Sequence, residues 1–158
     1  MKRDLSHRLF RRLSASEGTN MIEAAIITPL LLIVTFAIVD FGVLLYVNLA
    51  LANGVSLATR YGVPGNTMPG LSREGSMRAA MRTNTPTLTL DDAAFSFSHM
   101  GAGGGGWVAG AGGPNDVEKV RVDYTYRLMT PFLRPMFPNG EVRFRVESAM
   151  KNEGLFTQ

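Results

Sequence analysis

The sequence predicts a single N-terminal transmembrane α-helix that continues into an amphipathic helix, followed by a small α+β domain with an antiparallel sheet of three to four strands. Three observations lead to this fold class. A long uncharged apolar run begins at residue 24, a proline- and glycine-rich segment begins at residue 63, and three later segments alternate between apolar and polar residues. With 158 residues, the chain has room for one compact domain beside its membrane segment.

The net charge of the chain is confined to its N-terminus. Residues 1–18 carry five basic and two acidic side chains, and the remaining residues carry 11 of each, which accounts for the formal net charge of +3. The neutral remainder argues against a nucleic-acid-binding surface. Cysteine is absent, which excludes disulfide bonds, thiolate metal sites and a thiol nucleophile.

The membrane helix is predicted from the uncharged run. The 16 residues from Ala24 to Val39 contain no charge, and the apolar character resumes after Asp40 and lasts to Val47. About 20 residues cross a bilayer, so this stretch is long enough. Pro29 would remove one backbone hydrogen bond, for which neighbouring helices in a membrane can compensate.

The charges around this helix predict its orientation. The N-terminal flank is basic, whereas no Lys or Arg follows Val47 before Arg60. The N-terminus is therefore expected in the cytoplasm, with residues 63–158 on the far side of the membrane. A cleaved secretory signal is the alternative, because Ala50-Leu51-Ala52 has the form of a signal peptidase site. Its apolar region would exceed the usual length of about 7–15 residues.

The exported domain is predicted to contain one helix and three strands. After the linker at residues 63–70, Ser72 is expected to cap a helix from Arg73 to Arg82. Alternation of apolar and polar residues predicts half-buried strands, one face on the helices and the arginine-rich face in water. The three alternating segments are residues 95–98, 120–128 and 142–147.

The connection between the last two strands is unusually apolar for a surface turn. Residues 129–140 contain three prolines, which cannot donate hydrogen bonds to a strand ladder. Four apolar side chains lie among them: Phe132, Leu133, Met136 and Phe137. They either pack against the domain's own helix or contact a partner subunit or the outer bilayer surface.

The sequence gives little support for catalysis. Gly101, Gly103 and Gly106 have the spacing of a dinucleotide-binding loop, but a proline and a strand follow where that fingerprint requires a helix, so a flexible loop is expected. His7 would face the cytoplasm, and His99 has no obvious acid partner. No cluster with metal-ligand spacing is found. The chain is therefore predicted not to be an enzyme and to bind no metal or cofactor.

The N-terminal junction resembles the processing site of type IV pilin-like proteins. Gly18 ends the basic leader, Thr19 follows, and Glu23 lies just before the apolar run. In such proteins a membrane peptidase cuts after the glycine, which would make Glu23 the fifth residue of the mature chain. A carboxylate at the edge of hydrocarbon is costly unless it is paired, and the new α-amine of a neighbouring subunit would be its partner. A carboxylate that simply ends the lipid run is the alternative for Glu23.

The chain resembles more narrowly the TadE family of tight-adherence pilus proteins. Its helix has Pro29, then Asp40-Phe41-Gly42, then Arg60-Tyr61 in the order of that family, and residues 120–126 and 149–153 are also similar. The resemblance implies that Pro29, Asp40, Phe41 and Gly42 take part in helix assembly. A carboxylate in water is the alternative for Asp40, because it lies close to the opposite interface of a bilayer about 30 Å thick.

The resemblance implies a minor pilin or pseudopilin with a pilin-like fold that takes part structurally in assembling a bacterial tight-adherence pilus. The implied partners are the lipid bilayer, other pilins or pseudopilins, the pilus-assembly machinery and the prepilin peptidase. The implied organisation is a leader at 1–18, a transmembrane and extended helix at 19–62 and a periplasmic domain at 63–158. The protein would lie in the inner membrane or in an extracellular pilus. A membrane-anchored exported domain that binds a ligand or polymer is the alternative.

Overall fold

The computed structural model describes the backbone of residues 3–154 and the side chains of residues 18–154. The helices are α1 (Arg3–Gly62) and α2 (Arg73–Asn84), and the strands are β1 (Phe95–Met100), β2 (Val108–Ala109), β3 (Val117–Arg127) and β4 (Glu141–Lys151). Short 3₁₀ turns precede β1 and lie between β3 and β4. The predicted fold class is confirmed, since a long apolar N-terminal helix is followed by a second helix and a four-stranded antiparallel sheet.

The chain divides into two compact units, Met1–Phe41 and Gly42–Gln158. The first unit contains the N-terminal part of α1. The second contains the C-terminal part of α1 together with α2 and the sheet. A single helix therefore contributes to both units.

The sheet has the strand order β2-β1-β3-β4, and all neighbouring strands are antiparallel. β3 pairs with β4 along its whole length, whereas β1 pairs with only the first half of β3, ending where Phe95 lies opposite Val122. The predicted water-facing side carries cross-strand ion pairs, with Arg121 Nη2 2.9 Å from Glu147 Oε2 and Arg145 Nε 2.6 Å from Asp123 Oδ1. β4 is therefore an outer strand with a charged face.

The second half of α1 forms one side of the domain core. Its buried apolar residues recur at intervals of three or four, which places them on one face of the helix. They pack with α2 and with the inner face of the sheet in one cluster that includes Val47, Leu51, Val55, Ala58, Met77, Met81, Phe95, Phe97, Val120 and Val122. The predicted amphipathic continuation of the helix is thus part of the fold, and a fragment beginning at residue 63 would lack one wall of this core.

α2 lies antiparallel to the second half of α1. The predicted cap is confirmed, because the Ser72 hydroxyl oxygen accepts a hydrogen bond from the Gly75 amide at 3.1 Å. The α2 N-terminus lies at the end of α1, where Arg73 donates to the Gly62 carbonyl. The chain after α2 then approaches residue 46, where the hydroxyls of Tyr46 and Thr87 are 2.7 Å apart.

Gly54 allows α2 to approach α1 closely. α1 continues through this residue without interruption, so the glycine does not break the helix. A Cβ atom at position 54 would lie 2.7 Å from Cγ2 of Thr85 and 3.1 Å from side-chain atoms of Met81. Because real Cβ atoms essentially never approach other atoms to 2.7 Å, a larger residue would push the two helices apart.

We predict that Gly54→Leu destabilises the unit Gly42–Gln158. Overpacking a buried helix contact costs about 1–3 kcal/mol, which outweighs the gain of about 1 kcal/mol from replacing glycine inside a helix. The measurement is thermal unfolding of the full chain in detergent, followed by near-ultraviolet circular dichroism, which reports tertiary packing.

Gly42→Leu is the matched control. Gly42 lies in the same helix, but a Cβ there would meet no atom within 4 Å among the described residues. This variant should melt at or above the wild-type temperature. Equal melting temperatures for the two leucine variants would show that α1 and α2 can move apart without loss of stability, and would contradict this prediction.

Candidate membrane anchor and assembly surfaces

The apolar part of α1 is exposed on every side. From residue 18 to residue 39 every residue is exposed except Ala37, which is half-buried. By length and composition, the segment Gly18–Gly62 can cross a membrane. Its most apolar window has a mean hydropathy of 2.6, and only 11% of that window is buried. A core helix of a soluble domain would bury its apolar surface, whereas lipid or other helices cover such a surface in a membrane.

The predicted processing residues lie on an open stretch of this helix. Gly18, Thr19 and Glu23 are helical and exposed, with Glu23 one turn beyond Thr19. A Cβ at Gly18 would meet no described atom within 4 Å. The predicted basic leader spans residues 1–18, and the side chains of its first 17 residues lie outside the described part of the structure. The Gly18–Thr19 bond is thus within a helical segment.

The residues predicted for helix assembly differ in their surroundings. α1 continues through Pro29 as one helix. Phe41 is 62% exposed and Gly42 is exposed, whereas Asp40 is only 1% exposed. The interpretation of Asp40 as a carboxylate in water is therefore wrong, because its surface is covered within this chain. Phe41 and Gly42 instead form an open surface, and the glycine would let another backbone approach closely.

A buried polar cluster centred on Arg73 joins four distant segments of the domain. The guanidinium donates to the Gly62 carbonyl from Nε at 3.1 Å and from Nη2 at 2.8 Å, at the end of α1. It also donates to the Gly112 carbonyl at 2.9 Å and to Asn152 Oδ1 at 3.0 Å. Its ion pair is with Glu118 of β3. The planar fork of arginine allows one side chain to serve all these acceptors.

Glu118 is the more deeply buried of the two charged residues in this cluster. Its side chain is 0% exposed, and its Oε1 accepts no hydrogen bond from the residues that the structure describes. Burial raises the pKa of Glu118 to about 7, although the adjacent Arg73 guanidinium opposes the shift. The nearby Glu74 carboxylate adds to the increase. The Glu118 carboxyl group therefore changes its charge near neutral pH.

The sequence does not predict that Arg73 and Glu118 form a buried pair, although strand alternation gives one signal that Glu118 is buried. Glu118 lies two residues before Val120 and four before Val122, so strand alternation puts all three on the inner face of the sheet. A carboxylate that is buried on the apolar face of a sheet is costly unless it has a cationic partner. The alternation alone does not identify that partner, because Arg73 is far away in the sequence.

The glycine-rich segment is partly anchored to this cluster. Residues 101–106 are exposed, whereas the carbonyl of Gly113 accepts a hydrogen bond from Asn152 Nδ2 at 2.9 Å. Gly112 has a φ of +70°, and a Cβ there would lie 2.6 Å from Cβ of His99. The expectation of a flexible loop therefore does not describe the end of the segment, where hydrogen bonds fix the backbone and only glycine fits beside β1.

The apolar connection between β3 and β4 exposes most of its large side chains. Phe132 is 68% exposed, Met136 is 76% exposed and Phe137 is 38% exposed, whereas Leu133 is half-buried. The backbone is nevertheless held in place, since Arg134 Nε donates to the Leu128 carbonyl at 2.9 Å. Packing of all four side chains against the domain's own helix is therefore excluded, and an apolar surface remains for another contact.

Comparison with known proteins finds a similarity in the N-terminal part of the chain. The family model described as TadE-like protein matches residues 18–60. The match covers the exposed apolar helix and its continuation into the domain core, and it confirms the predicted resemblance. Neither a curated protein nor a solved structure matched the chain.

We predict that the charge of Glu118 makes the stability of the domain depend on pH. The folded carboxyl has a pKa of about 7, above the ordinary value of 4.5, so the folded protein binds this proton more tightly than the unfolded chain does. The resulting stability, on the order of 1–3 kcal/mol, is fully present below the unfolded pKa and is lost as the pH rises through the folded pKa.

The measurement is the melting temperature of the wild type and of Glu118→Gln, in detergent, between about pH 5 and about pH 8. The wild-type value should fall relative to that of the variant by roughly 5 °C over this range. Glu147→Gln, which removes a half-exposed carboxylate from the outer face, should keep the wild-type pH dependence. A constant difference between wild type and Glu118→Gln would mean that Glu118 does not titrate in this range.

Proposed function

We propose that this chain, whose residues 18–60 match the TadE-like family, is a minor pilin or pseudopilin that takes part in assembling a bacterial tight-adherence pilus. The observation that carries the proposal is the position of the match, which coincides with the exposed apolar helix. Its role is structural: the helix joins other helices and the bilayer, and the protein acts by assembly instead of catalysis.

The length of the exposed helix and the side chains at its end support this role. The residues from 18 to 39 would extend about 33 Å as a helix, which suits the apolar thickness of a bilayer. In a pilus, the same surface would pack on neighbouring subunits. Phe41 offers a large apolar side chain and Gly42 a gap beside it, a combination that favours close contact between helices.

Glu23 would fix the axial position of this helix relative to the helix of a neighbouring subunit. It is exposed on the apolar helix, where a carboxylate is costly unless it finds a cationic partner. Cleavage after Gly18 by a prepilin peptidase would create an α-amine at Thr19, and that amine on an adjacent subunit would pair with Glu23. A misplaced neighbour would leave the carboxylate unpaired, so the charge pair would select one axial position.

We predict that Glu23→Gln abolishes pilus assembly while leaving membrane insertion intact. In a bacterial strain that lacks this protein, the wild-type chain should restore tight-adherence pili and Glu23→Gln should not, because the neutral amide cannot pair with the α-amine. Glu153→Gln, which changes an exposed carboxylate of the C-terminal unit, is the control and should restore pili. Assembly at wild-type levels by Glu23→Gln would contradict the proposed pairing, and normal pili in the deleted strain would contradict the function.

We predict that the mature protein begins at Thr19 in cells that contain the prepilin peptidase. Intact-mass measurement of the chain extracted from membranes should show the loss of residues 1–18. Gly18→Leu should block this loss, because such a peptidase cuts after glycine, whereas Gly42→Leu should be processed normally. A dominant species that keeps its first 18 residues would argue against a pilin, and a start after Ala52 would favour a secretory signal.

We predict that the C-terminus lies outside the cytoplasm, because the basic flank precedes the apolar helix. Alkaline phosphatase fused after Gln158 should be active, since it folds only in an oxidising compartment, and a cytoplasm-only fluorescent reporter at the same position should be dark. The same two reporters fused after Gly18 are the control and should give the opposite pattern. Activity of the cytoplasmic reporter at Gln158 would reverse the proposed orientation.

A further inference from the structure

β3 runs antiparallel to α1, and contacts along the domain establish this direction. At one end, Arg73 joins Gly62 of α1 to Glu118 of β3, so these two residues lie at the same level. Further along, Val122 pairs with Phe95, whose ring lies 5.7 Å from the guanidinium of Arg82 in α2. Arg82 is within one turn of Thr85, the residue that contacts Gly54.

These contacts agree with the rise of the two elements. Four strand residues from Glu118 to Val122 cover about 13 Å, and eight helical residues from Gly62 back to Gly54 cover about 12 Å. Continuing in the same direction, ten strand residues reach Leu128 after about 33 Å, and 20 helical residues reach Gly42 after about 30 Å. The segment 129–137, which follows β3, therefore lies at the end of the unit Gly42–Gln158 where α1 enters it.

The side chains that segment 129–137 exposes are suited to the interfacial region of a bilayer. Met129 is 65% exposed, and Phe132, Met136 and Phe137 are exposed as well. The stretch from residue 127 to residue 143 contains three arginines and one glutamate. Apolar side chains bordered by arginines match a bilayer surface. The apolar side chains can insert among the lipid acyl chains, and anionic headgroups attract the arginines.

We propose that segment 129–137 docks on the outer surface of the bilayer that α1 crosses, with Phe132 and Met136 inserted among the lipids. This inference rests on the proposed membrane anchor. The backbone anchored by Arg134 presents these side chains in a fixed position, which reduces the entropy lost on insertion. The domain is thereby held against the membrane at a second point beside α1. Lipid is favoured over a partner subunit because the segment lies at the end where the apolar helix enters and because its border is basic.

The test uses the full chain reconstituted alone into vesicles of phosphatidylcholine and phosphatidylglycerol. Phe132→Trp and Met136→Trp are each made in a Trp107→Phe background, so that one tryptophan reports its own position. Acyl chains brominated near the headgroup quench tryptophan that enters the lipid. We expect these lipids to reduce the emission of each introduced tryptophan about twofold or more relative to unbrominated vesicles.

The wild-type chain supplies the matched control. Trp107 lies beside Lys119, whose ammonium is 3.8 Å from the ring centroid, so it is at the opposite end of β3. Its emission should be nearly the same in both kinds of vesicle. Each variant should also unfold at the temperature of its parent, because the replaced side chains are exposed.

Phe36→Trp in the same background separates failure of this inference from failure of the anchor. Residue 36 lies within the exposed apolar part of α1 and must be quenched if that helix is in the bilayer. Quenching at position 36 with none at positions 132 and 136 would overturn the lipid contact alone, and would favour a partner subunit on segment 129–137. Absence of quenching at position 36 would overturn both the membrane anchor and this inference.

Discussion

The fold of the C-terminal unit depends on the hydrogen bonds and the ion pair that one buried guanidinium, that of Arg73, makes with distant segments. Arg73 reaches the last turn of α1, the end of the glycine-rich segment, β3 and the residue after β4, and it is mostly buried there. Removing one partner of a buried ion pair costs about 3–5 kcal/mol, a large share of the total stability of a typical domain, about 5–15 kcal/mol. The four segments are thus fixed together, because the charge is tolerated only when all of them are in place.

These contacts also explain how the long apolar helix α1 ends inside a folded domain. The last carbonyl groups of a helix have no intrahelical partner, and a buried helix end needs donors from elsewhere. Arg73 supplies two hydrogen bonds to the Gly62 carbonyl, and a positive charge is favourable at a helix C-terminus. Gly62 itself leaves room for the side chains of Met77 and Glu118. The helix therefore stops at a site built from α2 and β3.

Local patterns in the sequence predicted most of the elements but not the contacts that join them. The uncharged run located the apolar helix, Ser72 located the start of α2, and alternation located β1, β3 and β4, because each of these signals depends on neighbouring residues. β2 escaped prediction, since it has only two residues. The burial of Asp40 and the pairing of Arg73 with Glu118 depend on residues distant in the sequence. The exposure of Phe132 and Met136 could not be decided from composition, because an apolar loop suits a core and a contact surface equally.

The position of β4 at the border of the sheet limits how copies of this chain can associate. An outer strand offers unpaired backbone groups to any other strand, which is a common route to aggregation. In β4 the exposed positions alternate and carry mainly charge, among them Arg143, Arg145 and Glu147, and the segment 129–140 before the strand contains three prolines. Desolvating that row of charges opposes stacking of one sheet edge on another. Pairing between copies of this chain through the β4 edge is therefore disfavoured even where the domains are crowded.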